Sequence, residues 1–211
     1  LTLQKKQKKK EGNKMNLVKN VTISFDLDGT LYDLYNVPDW LKKLESEQVI
    51  VFYEGDCLVD PEKFHYFVQT LEKQGIEFSV ISKLPNSKNV RFLKESKKAK
   101  IEFVDHLFQN PNIPKHLIGF TSDKSKLFPL KPTDFLIDDD IDNRIAWEKA
   151  GGIAFNPLVF DSVETILYRM IEFMNFLDEY VDLLEKYVCY TELIELTRFE
   201  VLGLLSRVEL L

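Results

Sequence analysis

Two cysteines, Cys57 and Cys189, are all that the 211 residues contain. They stand far apart, with no CxxC pair and no Cys/His cluster around them, which excludes a disulfide framework and a zinc site as organising devices. Free thiols of a reducing compartment are expected. The three histidines, His65, His106 and His116, share no metal-ligand spacing either. Long apolar runs are also missing. None approaches the roughly 18 to 20 residues that span a bilayer, and residues 1–14 lack the apolar stretch of a signal peptide. With a formal net charge of −6, the chain lacks the basic balance that broad nucleic-acid binding requires. These absences leave a soluble, cytoplasmic protein, and at 45% hydrophobic residues it can bury a sizeable core.

Charge is unevenly spread. Lys5, Lys6, Lys8, Lys9, Lys10 and Lys14 crowd the first segment, which has no hydrophobic periodicity and reads as a disordered basic tail. Back-translation of Lys10-Glu11-Gly12 permits a purine-rich ribosome-binding sequence shortly before Met15. The expectation is therefore that Met15 is the native start and that residues 1–14 are translated leader. An intact mass that includes residue 1 in protein from the native host would contradict it.

From residue 21 onward, short β-rich apolar runs alternate with helix-like stretches, the pattern of a parallel sheet flanked by helices. "VTISFDL" (21–27), "IEFSVIS" (76–82), "HLIGF" (116–120), "DFLID" (134–138) and "GIAFN" (152–156) are the expected strands. Helices are expected at 61–75, closed by Gly75, and at "IDNRIAWEKAGG", closed by Gly151 and Gly152. Residues 33–60 interrupt the alternation and predict a small cap, with a helix near Pro38 to Glu47 and an irregular or strand-like "VIVFY". "KESKKAK" (94–100) reads as a solvated helix end. After Pro157 the rhythm changes. No Pro or Gly occurs from Leu158 to Leu202, and apolar residues recur at helical spacing from Val163 to Val188. Residues 158–211 are thus a helical extension, one long helix or two with a break near "YVCYTE". Its apolar stripe would serve packing on the core, self-association, or docking of a partner protein, and the sequence leaves all three open.

Several apolar runs end at chemically useful residues: Asp26 and Asp28, Ser82, Thr121 with Lys124 nearby, and Asp138 with Asp139. In an open parallel sheet the carboxyl ends of the strands form the ligand crevice, so these side chains are expected to gather there. Paired carboxylates repel unless a metal or a mechanism rewards them. Gly29 lets the backbone turn after Asp28, and oxygen ligands of this kind suit Mg²⁺.

These motifs resemble those of the haloacid dehalogenase-like (HAD) superfamily over about residues 20 to 157. "DLDGT" (26–30) resembles its first motif, Ser82 at the end of "FSVIS" the second, a lysine of "SDKSK" the third, and "DFLIDDDIDN" the fourth. The resemblance implies a Rossmann-like α/β catalytic domain at 15–157 with the small cap inserted. It also implies phosphoryl transfer through an aspartyl-phosphate. Asp26 would be the nucleophile and Asp28 the acid and base. Ser82 and a lysine, Lys124 or Lys126, would steady the phosphoryl group, with Lys124 matching the "DKS" of deoxyribonucleotidase-like members. Mg²⁺ would be held by Asp26, Asp138 and the main-chain oxygen of Asp28, with Asp139 and Asp142 ordering the surrounding shell. Lys83, next to Ser82, would add attraction for phosphate. The second acid disfavours dehalogenation. The resemblance therefore implies a phosphatase of small phosphomonoesters, with the 5'(3')-deoxyribonucleotidase-like branch closest in style. Tyr32, Tyr35, Trp40, Phe52 and Tyr53 would either stack a nucleobase or pack the cap. An idle scaffold that binds a partner through its C-terminal helices is the competing reading.

Overall fold

The computed structural model describes residues 21–160 and 162–187. The tail at 1–14 and the end of the helical extension lie outside the described residues. All five expected strands form: β1 (Thr22–Phe25), β2 (Glu77–Lys83), β3 (Lys115–Ile118), β4 (Asp134–Ile137) and β5 (Ile153–Phe155). They make one all-parallel sheet of order β3-β2-β1-β4-β5. The helices are α1 (Trp40–Glu45), α2 (Pro61–Lys73), α3 (Val90–Phe108), α4 (Ile141–Lys149) and α5 (Val163–Tyr187). An α/β architecture of the Rossmann-like kind follows, as the alternating pattern predicts. No described helix is long and apolar enough to cross a membrane.

β1 is central, and its burial on both faces explains why its residues do not alternate between apolar and polar. Ile23 and Phe25 are fully buried, and Phe25 meets the rings of Phe64 on α2 and Phe108 on α3 edge-on at 5.5 and 5.8 Å. Between them Ser24 bonds the hydroxyl of Ser79, its register partner on β2, at 2.8 Å. Pairing the two hydroxyls removes the cost of burying either alone. The larger core gathers this side of the sheet with α2, α3 and α5. A smaller one joins Ile81 and Leu136 to Trp147 of α4.

Trp147 is fully buried, and its indole nitrogen donates to the carbonyl of Asp134 at 3.0 Å. Gly152 lies so close beneath the ring that a Cβ there would collide with it. Trp147→Ala is therefore expected to cost about 3–5 kcal/mol, readable as a lower urea midpoint with unchanged slope.

Helix ends follow local chemistry. The Asp60 side chain accepts from the amides of Glu62 and Lys63 at the start of α2, with Pro61 at the first helical position. Gly75 and Gly151 follow α2 and α4 with φ of 88° and 102°, values that favour glycine.

In the segment 33–60, "VIVFY", expected to be irregular or strand-like, is a 3₁₀ turn at Val49–Phe52 and forms no strand. It packs Val51 and Phe52 inward against α1 and α3, so tertiary contact overrides the β preference of its residues. The insertion is tied to the start and middle of α3. Glu47 accepts from Ser87 and Asn89 at 2.5 and 2.6 Å, Tyr53 donates to Glu102 at 3.1 Å, and Tyr32 meets Phe103 edge-on. "KESKKAK" is likewise corrected. It lies within α3, and Lys100 is buried.

Candidate functional site

The strand order reverses between β1 and β4. Both strands hand the chain to a polar residue there, and the crevice beyond their carboxyl ends is where an α/β sheet binds ligands. Asp26 follows β1 directly, with its amide donating to Ile137 of β4 at 2.8 Å. Asp138 follows β4, with its amide donating to Phe155 of β5 at 3.1 Å. The sheet ladder therefore continues into the two carboxylate-bearing residues and holds them rigidly. Carboxylate oxygens of Asp26, Asp138 and Asp139 lie within 4.8 Å of one another.

Lys124 reaches into this group. It begins a short 3₁₀ turn capped by Asp123, and its ammonium donates to Asp26 and, at 2.7 Å, to Asp138. Only 1% of Lys124 is exposed, whereas the Lys126 side chain is 80% exposed and pairs with Asp123 at 3.4 Å. Lys124 is thus the lysine of "SDKSK" that meets the acids. Thr121 is exposed, and Asp142 is an exposed residue of the first turn of α4 whose amide donates to the cap residue Asp140. Asp142 is not in the carboxylate group. Asn143 holds Asp138 instead, at 3.1 and 3.3 Å, while Arg144 donates to the carbonyls of Asp138 and Asp139 at 2.7 Å each.

The turn after β1 locks onto the acids after β4. Thr30 donates to Asp139 at 3.2 Å and accepts from its amide at 3.1 Å. Gly29, with φ of 87°, sits so close to Asp139 that a Cβ would lie 2.5 Å from a carboxylate oxygen and collide with the Tyr35 ring. Gly29→Ala is expected to push Asp139 out of place, with about 1–3 kcal/mol of backbone strain, measurable as a lower Tm.

Charge in the pocket is unbalanced toward the acids. Burial pushes the Asp26 carboxyl up to about 7, with Asp138 and Asp28 adding to the rise and Lys124 pulling against it. Burial and Asp138 also raise Asp139. Burial opposes the Lys124 ammonium, yet Asp26 and Asp138 hold it above the usual lysine range. One lysine set against three clustered carboxylates leaves negative charge that a divalent cation would offset, and the all-oxygen donor set fits a hard ion such as Mg²⁺.

The sign of the metal-free pH dependence follows. Between about pH 4 and pH 7 folded Asp26 keeps a proton that the unfolded chain has lost. Its contribution to stability is full below that window and disappears as pH rises through 7. Thermal midpoints taken in chelator should fall across it, and Asp26→Asn should flatten the fall.

Asp28 points away from this cluster. One of its oxygens, Oδ2, receives the ammonium of Lys100 and lies 3.4 Å from the Ser82 hydroxyl. Lys100 also donates to Ser82 Oγ at 2.8 Å. An ammonium only donates, so Ser82 accepts there and directs its own hydrogen toward Asp28 Oδ2 at 3.4 Å and the Lys83 carbonyl at 3.5 Å. Lys83 bonds Asn143 at 3.0 Å, which joins the end of β2 to α4 across the crevice.

Asp26, Asp28, Lys83, Lys100, Lys124 and Asn143 line a cleft of about 270 Å³ together with the rings of Tyr35, Trp40, Phe52 and Phe120. Of the five aromatics expected around the site, Tyr32 and Tyr53 do not line it. Tyr32 is buried with its hydroxyl donating to Val51 at 2.7 Å, and Tyr53 is turned to Glu102. Lys100 and Asn143 are the functional neighbours that sequence reading overlooks. A signal existed for Lys100: it lies on the buried stripe of α3 with Phe92, Ser96, Ala99 and Val104, and a charge on an apolar stripe asks for a partner. No protein-family model and no curated protein matches the chain.

Proposed function

We propose that the chain is a Mg²⁺-dependent phosphatase of HAD-like type that hydrolyses small phosphomonoesters through phosphorylated Asp26. The observation that carries this reading is the division of labour after β1. Asp26 shares its surroundings with Asp138, Asp139 and Lys124, while Asp28, two residues on, is paired with Lys100 beside Ser82. Two carboxylates with separate partners are what a reaction needing a nucleophile and a proton carrier requires.

In the first step Asp26 attacks phosphorus, the bond to the leaving oxygen breaks, and Asp28 supplies that oxygen with a proton. In the second, Asp28 takes a proton from water, which attacks the same phosphorus and frees Asp26 and inorganic phosphate. Ser82 donates to a phosphoryl oxygen and Lys124 offsets charge on it and on Asp26. Mg²⁺, held by Asp26, Asp138, Asp139 and the main-chain oxygen of Asp28, would add a fixed positive centre for the phosphate.

A panel of phosphomonoesters assayed with Mg²⁺ and with chelator, beside Asp26→Asn, tests the proposal. Turnover that needs both the metal and Asp26 is the expected result, and none on any substrate would defeat it. The rings that line the cleft favour a nucleoside monophosphate within the panel, because an aromatic face binds a base by stacking. Trp40→Ala is accordingly expected to raise KM for nucleotides roughly tenfold and to leave KM for alkyl phosphates nearly unchanged. Equal effects on both would assign Trp40 to packing.

A further inference from the structure

Lys100 has no place in the mechanism above, yet it touches two of its members. Its side chain is 2% exposed in the middle of α3, on a stripe otherwise made of Phe92, Ser96, Ala99, Val104, Leu107 and Phe108. An apolar residue would fill that position at no electrostatic cost, and an ammonium is retained there only with partners that repay its dehydration. Its partners are Asp28 and Ser82, with the ring of Phe52 closing over it at 5.2 Å. The Asp28 carboxylate is consequently held by one oxygen. Oδ2 takes the ammonium and the neighbourhood of Ser82, while Oδ1 is buried with no hydrogen-bond partner in the structure. A buried acceptor is seldom left unmatched, and this one belongs to a residue that lines the cleft.

We propose that Lys100 is a positioning residue that clamps Asp28 through Oδ2 beside Ser82 at the edge of the cleft, and that Phe52 of the insertion seats the clamp. What Asp28 then does rests on the phosphatase reading; the clamp itself is a matter of geometry. Lys100 acts through Asp28 and does not itself touch the phosphoryl group. Removing it should therefore slow turnover without weakening substrate capture.

The test uses the full chain with Mg²⁺ and p-nitrophenyl phosphate, comparing wild type, Lys100→Met, Lys100→Arg, Asp28→Asn and the Lys100→Met/Asp28→Asn double variant. Met matches the length of the lysine stem and suits the apolar stripe, so folding should persist. Lys100→Met is expected to lower kcat roughly 100-fold with KM little changed, to add nothing once Asp28 is Asn, and to be partly rescued by Arg. A raised KM with unchanged kcat would make Lys100 a substrate-binding group and overturn the proposal, as would a loss that multiplies with that of Asp28→Asn. Crystal structures of wild type and Lys100→Met give a readout that needs no turnover. An Asp28 carboxylate that leaves its place beside Ser82 supports the clamp. One that keeps its rotamer overturns it, even if the phosphatase reading itself has already failed for lack of wild-type activity.

Discussion

Asp26→Asn should cost roughly 10⁴-fold or more in turnover while leaving the fold intact or steadier. The amide keeps the size of the carboxyl and loses its nucleophilic charge, so no phosphoryl group can be accepted. Stability should move the other way. Asp26 is buried close to Asp138 and Asp139, and burial, with Asp138 and Asp28 adding to it against the pull of Lys124, pushes its carboxyl up to about 7. Replacing it relieves a crowd of like charges, and Lys124 retains Asp138 as a partner at 2.7 Å. Activity and Tm measured on one preparation separate the outcomes. Loss of both together would mark Asp26 as a structural acid, and retained turnover would remove it from the chemistry.

Lys124→Met is expected to destabilise the fold by about 3–5 kcal/mol near neutral pH. Its ammonium is the buried cation between two buried carboxylates, and without it Asp26 and Asp138 face each other uncompensated. The penalty should shrink toward pH 5, because protonating Asp26 relieves the repulsion that the missing lysine no longer offsets. Saturating Mg²⁺ should restore part of the loss, since a ligand that binds only the folded chain stabilises it by mass action. Lys126→Met, on the exposed neighbour, should change stability by no more than about 0.5 kcal/mol. Urea unfolding of both variants at two pH values, with and without Mg²⁺, checks the set. Equal effects from the two lysines would contradict the geometry.

The sheet was legible because each strand is a short apolar run that stops at a polar residue, and the parallel order follows from helices placed between the runs. Asp26, Asp28, Ser82, Asp138 and Asp139 could be named for the same reason: a position at a strand end predicts a place in the crevice. The lysines could not be resolved in that way. Lys124 and Lys126 sit two residues apart in one 3₁₀ turn, and which of them points inward depends on how Asp123 caps it. Lys100 was hidden by composition, since the lysines around it in "KESKKAK" read as a solvated face while the buried stripe beneath them carries one charge. In "VIVFY" a β-branched run finds no strand to pair with and folds as a 3₁₀ turn over α3. Asp142 looked like a member of the acidic set by sequence proximity alone. Helical geometry turns it to solvent and brings Asn143 to Asp138 in its place.

Asp26 carries the phosphoryl group in the proposed mechanism, and trapping that state is its most direct measurement. Protein turning over a phosphomonoester with Mg²⁺ would be quenched in acid, reduced with borohydride and digested, and the peptides read by mass spectrometry. An acyl phosphate at Asp26 is reduced to the alcohol, so residue 26 should appear as homoserine. The signal should be absent from Asp26→Asn and stronger in Asp28→Asn, where hydrolysis of the intermediate lacks its base. Modification at a different residue, or turnover with none at residue 26, would contradict the mechanism.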